Sequence, residues 1–134
     1  MSKPVLPATT LDHVGIAVRS PHGHPLVEAL GGEVEGTAMP SGVMVGRFGP
    51  EQALELVWPG REGTPIDGFL DRRGPGLHHI ALAVREPLLE LAERLRAAGL
   101  EPVGQIERSS DGRPSLFLHP SGTGGVLIEL VETL

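Results

Sequence analysis

Two histidines and two glutamates carry the chemistry that this chain can offer, because they recur at matching places in two similar stretches. Leu11-Asp12-His13-Val14-Gly15-Ile16-Ala17-Val18 is echoed by Leu77-His78-His79-Ile80-Ala81-Leu82-Ala83-Val84. After each comes an apolar run around one glutamate, Ala53-Leu54-Glu55-Leu56-Val57 and Leu127-Ile128-Glu129-Leu130-Val131. A single histidine or glutamate on a strand is ordinarily a half-buried hydrogen-bonding group or a solvent-facing one. Recurrence of the pair changes that reading, since solvent-facing residues need not repeat while symmetry-related ligands must. Two neutral imidazoles and two carboxylates suit a divalent ion of borderline hardness: cobalt, manganese, nickel, zinc or iron. The candidate metal set is His13, Glu55, His79 and Glu129.

The elements that position these residues form an internal repeat. Each histidine stretch has the alternation and aliphatic content of a β-strand. Helix exits of similar form follow, Leu30-Gly31-Gly32 and Ala98-Gly99-Leu100. Helices are predicted over Leu26 to Leu30, cut short by Pro21, Gly23 and Pro25, and from Glu86-Pro87 onward, with Leu88, Leu91, Leu95 and Ala98 on one face. Further strands are predicted at Val34 to Gly36, Val43 to Phe48, Ala53 to Val57, Val103 to Glu107, Ser115 to Leu118 and Val126 to Val131. A connecting helix spans Ile66 to Arg72. The fold class is α+β: two tandem βαβββ modules forming a curled mixed sheet around a shared metal-binding cavity. Module one covers about 10–59, a linker 60–75 and module two about 76–132, all within a single domain of 1–134.

Composition narrows the partners. Seventeen acidic against 11 basic residues give a net charge of −6 with no block of like charge, so neither nucleic acid nor an anionic membrane is expected. Aromatic residues make up 3% and tyrosine is missing, which leaves no stacking platform for single strands. Absence of cysteine excludes disulfides, thiolate metal sites and a cysteine nucleophile. The N-terminal stretch, broken by Pro4 and Pro7, lacks the apolar segment of a signal peptide, so a cytoplasmic protein is expected. Among the other histidines, His78 points to the opposite face from His79 and is structural or supports a ligand. His22 and His24 are expected in a solvated loop, and His119 at a cavity rim or in a turn.

Over Leu11 to Glu132 the chain resembles the vicinal oxygen chelate superfamily, which also holds glyoxalases, bleomycin-resistance proteins and ring-cleaving dioxygenases. Within it, the chain resembles the methylmalonyl-CoA epimerases. Beyond the histidine strands, the resemblance rests on Leu54-Glu55-Leu56-Val57-Trp58-Pro59 and Thr64-Pro65-Ile66-Asp67-Gly68-Phe69-Leu70. In the second half it rests on Gly112-Arg113-Pro114-Ser115-Leu116-Phe117-Leu118-His119-Pro120 and Gly124-Gly125-Val126-Leu127-Ile128-Glu129-Leu130. It implies a homodimer, with a divalent metal held by His13, Glu55, His79 and Glu129, that interconverts (2R)- and (2S)-methylmalonyl-CoA by removing the C2 proton through a metal-stabilised enediolate.

That reaction asks for a base on each face of the carbon. Glu129 is the first. Some relatives carry a glutamate on the strand matching Val43 to Arg47, where this chain has none, leaving the second to Glu55, another residue or a metal-bound water. Arg72, Arg73 and Arg113 are the cations available to the nucleotide tail of an acyl-CoA substrate. A glyoxalase I-type isomerase acting on a glutathione hemithioacetal meets the same ligand set, and a non-catalytic small-molecule-binding protein shares the fold.

Overall fold

The computed structural model describes residues 4–6 and 8–133. The chain forms two compact units, His13–His78 and the described parts of Met1–Asp12 with His79–Leu134. Elements in the first half are β1 (Thr10–Ala17), α1 (Pro25–Ala29), β2 (Thr37–Ala38), β3 (Val43–Phe48), β4 (Leu54–Pro59) and the connecting helix α2 (Pro65–Arg73). The second half repeats the order with β5 (Gly76–Val84), α3 (Leu88–Ala97), β6 (Pro102–Arg108), β7 (Pro114–Leu118) and β8 (Ile128–Glu132). The architecture is α+β, as the repeat predicts. In each half, the histidine strand lies parallel to the glutamate strand, β1 to β4 and β5 to β8. The glutamate strand is antiparallel to the strand before it, β4 to β3 and β8 to β7.

Local chemistry explains where the elements start and stop. Helix α1 has only five residues because Pro25 opens it and Leu30-Gly31 closes it, Gly31 at φ 71°. Helix α2 begins where the Asp67 carboxylate accepts hydrogen bonds from the Thr64 backbone N–H (2.6 Å) and hydroxyl (2.8 Å), with Pro65 in the first turn. Helix α3 starts at Leu88, one residue later than predicted, because Pro87 remains extended (ψ 128°) as its N-cap. The Leu88 N–H is met by the Glu132 carboxylate at 2.9 Å. Glu90 in the first turn and Arg94 and Arg96 in the last complement the helix dipole.

Three expectations change at the element edges. The strand predicted at Val34 to Gly36 occurs instead at Thr37–Ala38, paired with Val45 and Met44. A Cβ on Gly36 would lie 2.8 Å from both Met44 and Trp58, so the chain crosses there by close approach and pairs only beyond it. Ala98 is exposed at the end of α3, not on its buried face. Strand β8 starts at Ile128 instead of Val126, since Gly124 and Gly125 adopt φ 78° and 87° and the Thr123 hydroxyl binds the Val126 carbonyl.

Each unit has its own apolar core. In the second, Leu88, Leu91 and Leu95 of α3 pack with Val84, Leu116, Leu118 and Leu130 of the half-sheet. In the first, Ile66 and Leu70 of α2 pack with Ala17, Val45 and Val57, while Val18, Val27, Phe48, Leu56 and Trp58 form a second cluster. No helix among the described residues is long and apolar enough to cross a membrane. Leu91 is 0% exposed and Leu89 85%. Leu91→Ala should cost about 2–5 kcal/mol in urea unfolding, through lost transfer energy and a cavity, and Leu89→Ala less than about 0.5 kcal/mol.

Candidate functional site

In each half one register places the two functional side chains. Gly15, two residues after His13 on the same strand face, lies directly across from Glu55; Ala81, two after His79, lies across from Glu129. A small residue opposite the glutamate leaves room for its side chain to lean along the sheet toward the histidine. His13 Nε2 stands 3.6 Å from Glu55 Oε1, and His79 Nε2 stands 3.5 Å from Glu129 Oε1. All four residues are buried, with exposures of 1%, 5%, 4% and 6% in chain order. The structure thus brings together His13 with Glu55 in one unit and His79 with Glu129 in the other.

The donor sets fit a divalent ion. Burying imidazole and carboxylate together is costly unless their polar atoms are used. The nitrogen–oxygen separations are too long for good hydrogen bonds within the pairs. They match two ligands of one ion: with metal–ligand distances of roughly 2.1 Å and a near-tetrahedral angle, the ligand atoms lie about 3.4 Å apart.

The surroundings of the two glutamates differ. The residue directly across from Glu55 on β3 is Arg47, whose Nε donates to Glu55 Oε2 at 3.1 Å and whose Nη1 donates to the Gln52 carbonyl at 3.2 Å. The matching neighbour of Glu129 on β7 is Phe117, whose ring meets that of His79 edge to face at 5.9 Å. Sequence reasoning did not assign Arg47 a role; the signal was a charge inside the apolar run Val43 to Phe48.

Other candidate residues separate clearly. His78 lies edge to face with Phe69 at 5.1 Å, a packing arrangement on the face opposite His79. His22 is exposed, as expected for a loop. His24 corrects its expectation: it is half-buried at the start of α1, 6.1 Å from the Phe48 ring, with Nδ1 enclosed. His119 is exposed and belongs to a turn, where its Nδ1 accepts the Ser121 N–H at 3.0 Å.

Arg72 and Arg73 are exposed, Arg73 stacking 5.6 Å over Phe69. Arg113 is committed elsewhere. It meets both oxygens of Asp12 at 2.9 and 3.0 Å, Asp111 at 2.7 Å and the Thr133 hydroxyl at 2.8 Å. Hydrogen bonds to Asp111 and then Asp12 hold the guanidinium proton more tightly than usual.

With this geometry in place, comparison with known proteins is informative. No family model matches the chain. It is 42% identical over 86 residues to an ethylmalonyl-CoA/methylmalonyl-CoA epimerase of Cereibacter sphaeroides, a match covering 62% of the chain and 63% of that relative. The chain therefore spans less than two thirds of that relative's length. The crystal structure of methylmalonyl-CoA epimerase from Mycobacterium tuberculosis superposes with a TM-score of 0.82 at 32% identity, covering 100% of this chain and 93% of that one. A methylmalonyl-CoA epimerase solved with methylmalonyl-CoA and ammonium superposes with a TM-score of 0.79 at 29% identity, covering 93% and 94%.

The repeated module with a histidine and a glutamate on parallel strands defines a protein of the vicinal oxygen chelate class. Within that class, the chain belongs to the methylmalonyl-CoA epimerase family.

The Arg113 network yields a pH test. Burial pushes the Asp111 carboxyl up, but hydrogen bonds from Arg113 and Ser109 outweigh it and bring the pKa from 3.8 to about 2. A lowered folded-state pKa gives stability that is full above the unfolded value and lost as pH falls through the folded one. Asp111→Asn should therefore cost less than about 1 kcal/mol at neutral pH, the pair being partly exposed. The difference from wild type should shrink between pH 4 and pH 2 in urea titrations.

Proposed function

We propose that this chain interconverts the two C2 epimers of methylmalonyl-CoA, or of a near relative such as ethylmalonyl-CoA, at one centre where His13, Glu55, His79 and Glu129 together hold a divalent ion. The observation that carries this reading is the duplicated buried histidine–glutamate pair in a chain of the epimerase family. Cobalt, manganese, nickel and zinc all accept such a donor set.

The reaction needs the C2 proton, acidified by the neighbouring thioester carbonyl, to leave from one face and a proton to return to the other. Positive charge from a bound divalent ion would offset the negative charge that develops on the substrate oxygens, where fixed electrostatics help most. Glu129 takes the role of base on one face. Its neighbour across the sheet is the apolar Phe117, and the His79 ring sits on that same phenyl group, so carboxylate and imidazole are held in a packed, water-poor setting.

Strand β3 presents no carboxylate to serve the opposite face; its polar residue there is Arg47. The second proton-transfer group is Glu55, another residue or solvent. For the nucleotide tail, Arg72 and Arg73 on α2 are accessible, whereas the three partners of Arg113, Asp12, Asp111 and Thr133, make it a brace. The reading extends to a cytoplasmic homodimer, for which the molar mass in solution checks the assembly.

Stereochemical turnover of (2S)-methylmalonyl-CoA followed by circular dichroism tests the activity. A metal-dependent change in the dichroic signal, as C2 moves to the epimer mixture, is expected, and turnover of the glutathione–methylglyoxal hemithioacetal alone would move the chain to glyoxalase chemistry. Glu129→Gln should fold normally and lose at least about 100-fold in kcat. His79→Ala should lose metal on dialysis; an unchanged metal content there would remove His79 from the centre.

A further inference from the structure

The two halves present the same pair of donors but brace the glutamates differently. On β8, the cross-strand neighbour of Glu129 is the apolar Phe117. On β4, the same position opposite Glu55 is filled by Arg47. Its guanidinium spans two fixed points, Glu55 Oε2 through Nε at 3.1 Å and the Gln52 carbonyl through Nη1 at 3.2 Å. The side chains of Arg47 and Glu55 are 20% and 6% exposed, so this is a largely desolvated ion pair, where orientation is held far more firmly than at the surface. The other oxygen, Oε1, is the one 3.6 Å from His13 Nε2.

We propose that Arg47 is a positioning residue for the centre. By gripping Oε2 it fixes the torsion of Glu55, so that a single oxygen, Oε1, is presented beside His13. The inference rests on the reading of Glu55 as a metal ligand. It also distinguishes the two glutamates by their neighbours across the sheet: Glu55 is a one-oxygen ligand held by an arginine, while the residue opposite Glu129 is the apolar Phe117. A partner that orients a ligand in this way typically accounts for 10–100-fold in metal affinity.

Cobalt(II) titration of the full chain, followed by visible absorption, tests this without relying on activity. Wild type is compared with Arg47→Met, which keeps much of the stem volume but loses both donors, and with Arg47→Lys, which can meet one partner but not both. Arg47→Met should bind cobalt about 10–100-fold more weakly and with an altered visible band, because Glu55 becomes free to offer both oxygens or neither. Arg47→Lys should lie between the two, several-fold weaker than wild type. Unchanged affinity and spectrum in Arg47→Met would overturn the proposal; should that variant fail to fold, unchanged affinity in Arg47→Lys would do so. If wild type itself binds no cobalt, the metal-centre reading fails and the proposal falls with it. Wild-type binding with indifferent variants refutes the role of Arg47 alone.

Discussion

The structure depends on one constraint: a histidine and a glutamate on adjacent parallel strands must be buried side by side, twice. A parallel ladder fixes which residue stands opposite the glutamate, and the pleat then decides whether the histidine shares its face. With Gly15 and Ala81 opposite Glu55 and Glu129, the histidine is two residues away on the same face, and the small side chain between them leaves room for the pair. A slip of one residue would turn every side chain of the strand to the other face. His78, one residue before His79, illustrates this, since it packs on Phe69 instead.

The rest of the fold holds those registers. Helix α3 is placed against its half-sheet by three leucines that are fully buried, and its first N–H is taken by Glu132 at the end of the glutamate strand. Helix α2 does the corresponding work in the first unit with Ile66 and Leu70 packed on Ala17, Val45 and Val57, compensating for a first helix too short to cover much. Arg113 braces the second unit by tying Asp12, Asp111 and Thr133 to one guanidinium. Its engagement in structure explains why an arginine inside a recognisable motif is a poor choice for binding a nucleotide.

Much of this was legible in the sequence because repetition carries geometric information. Two copies of a strand with histidine third, followed at similar distances by a glutamate between aliphatic residues, identify the module and the pairing partners together. What stayed hidden depends on contacts distant in sequence. Gly36 looks like the end of a strand, yet the Trp58 and Met44 side chains leave no room for anything but a close crossing. His24 reads as a loop residue until Phe48 is seen beside it. Arg47 could be recognised as a brace only once the β3–β4 register set it opposite Glu55.

The central claim is that the two buried pairs act as one metal-dependent centre for proton transfer at C2 of an acyl-CoA. Exchange of the C2 hydrogen of methylmalonyl-CoA with deuterium in heavy water, compared between metal-replete and metal-stripped protein, tests it most directly. Deuterium incorporation with loss of stereochemistry, present with metal and absent without it, is the predicted result. Exchange that is equally fast in both preparations would contradict the metal centre, and no exchange in either would contradict the epimerase chemistry itself.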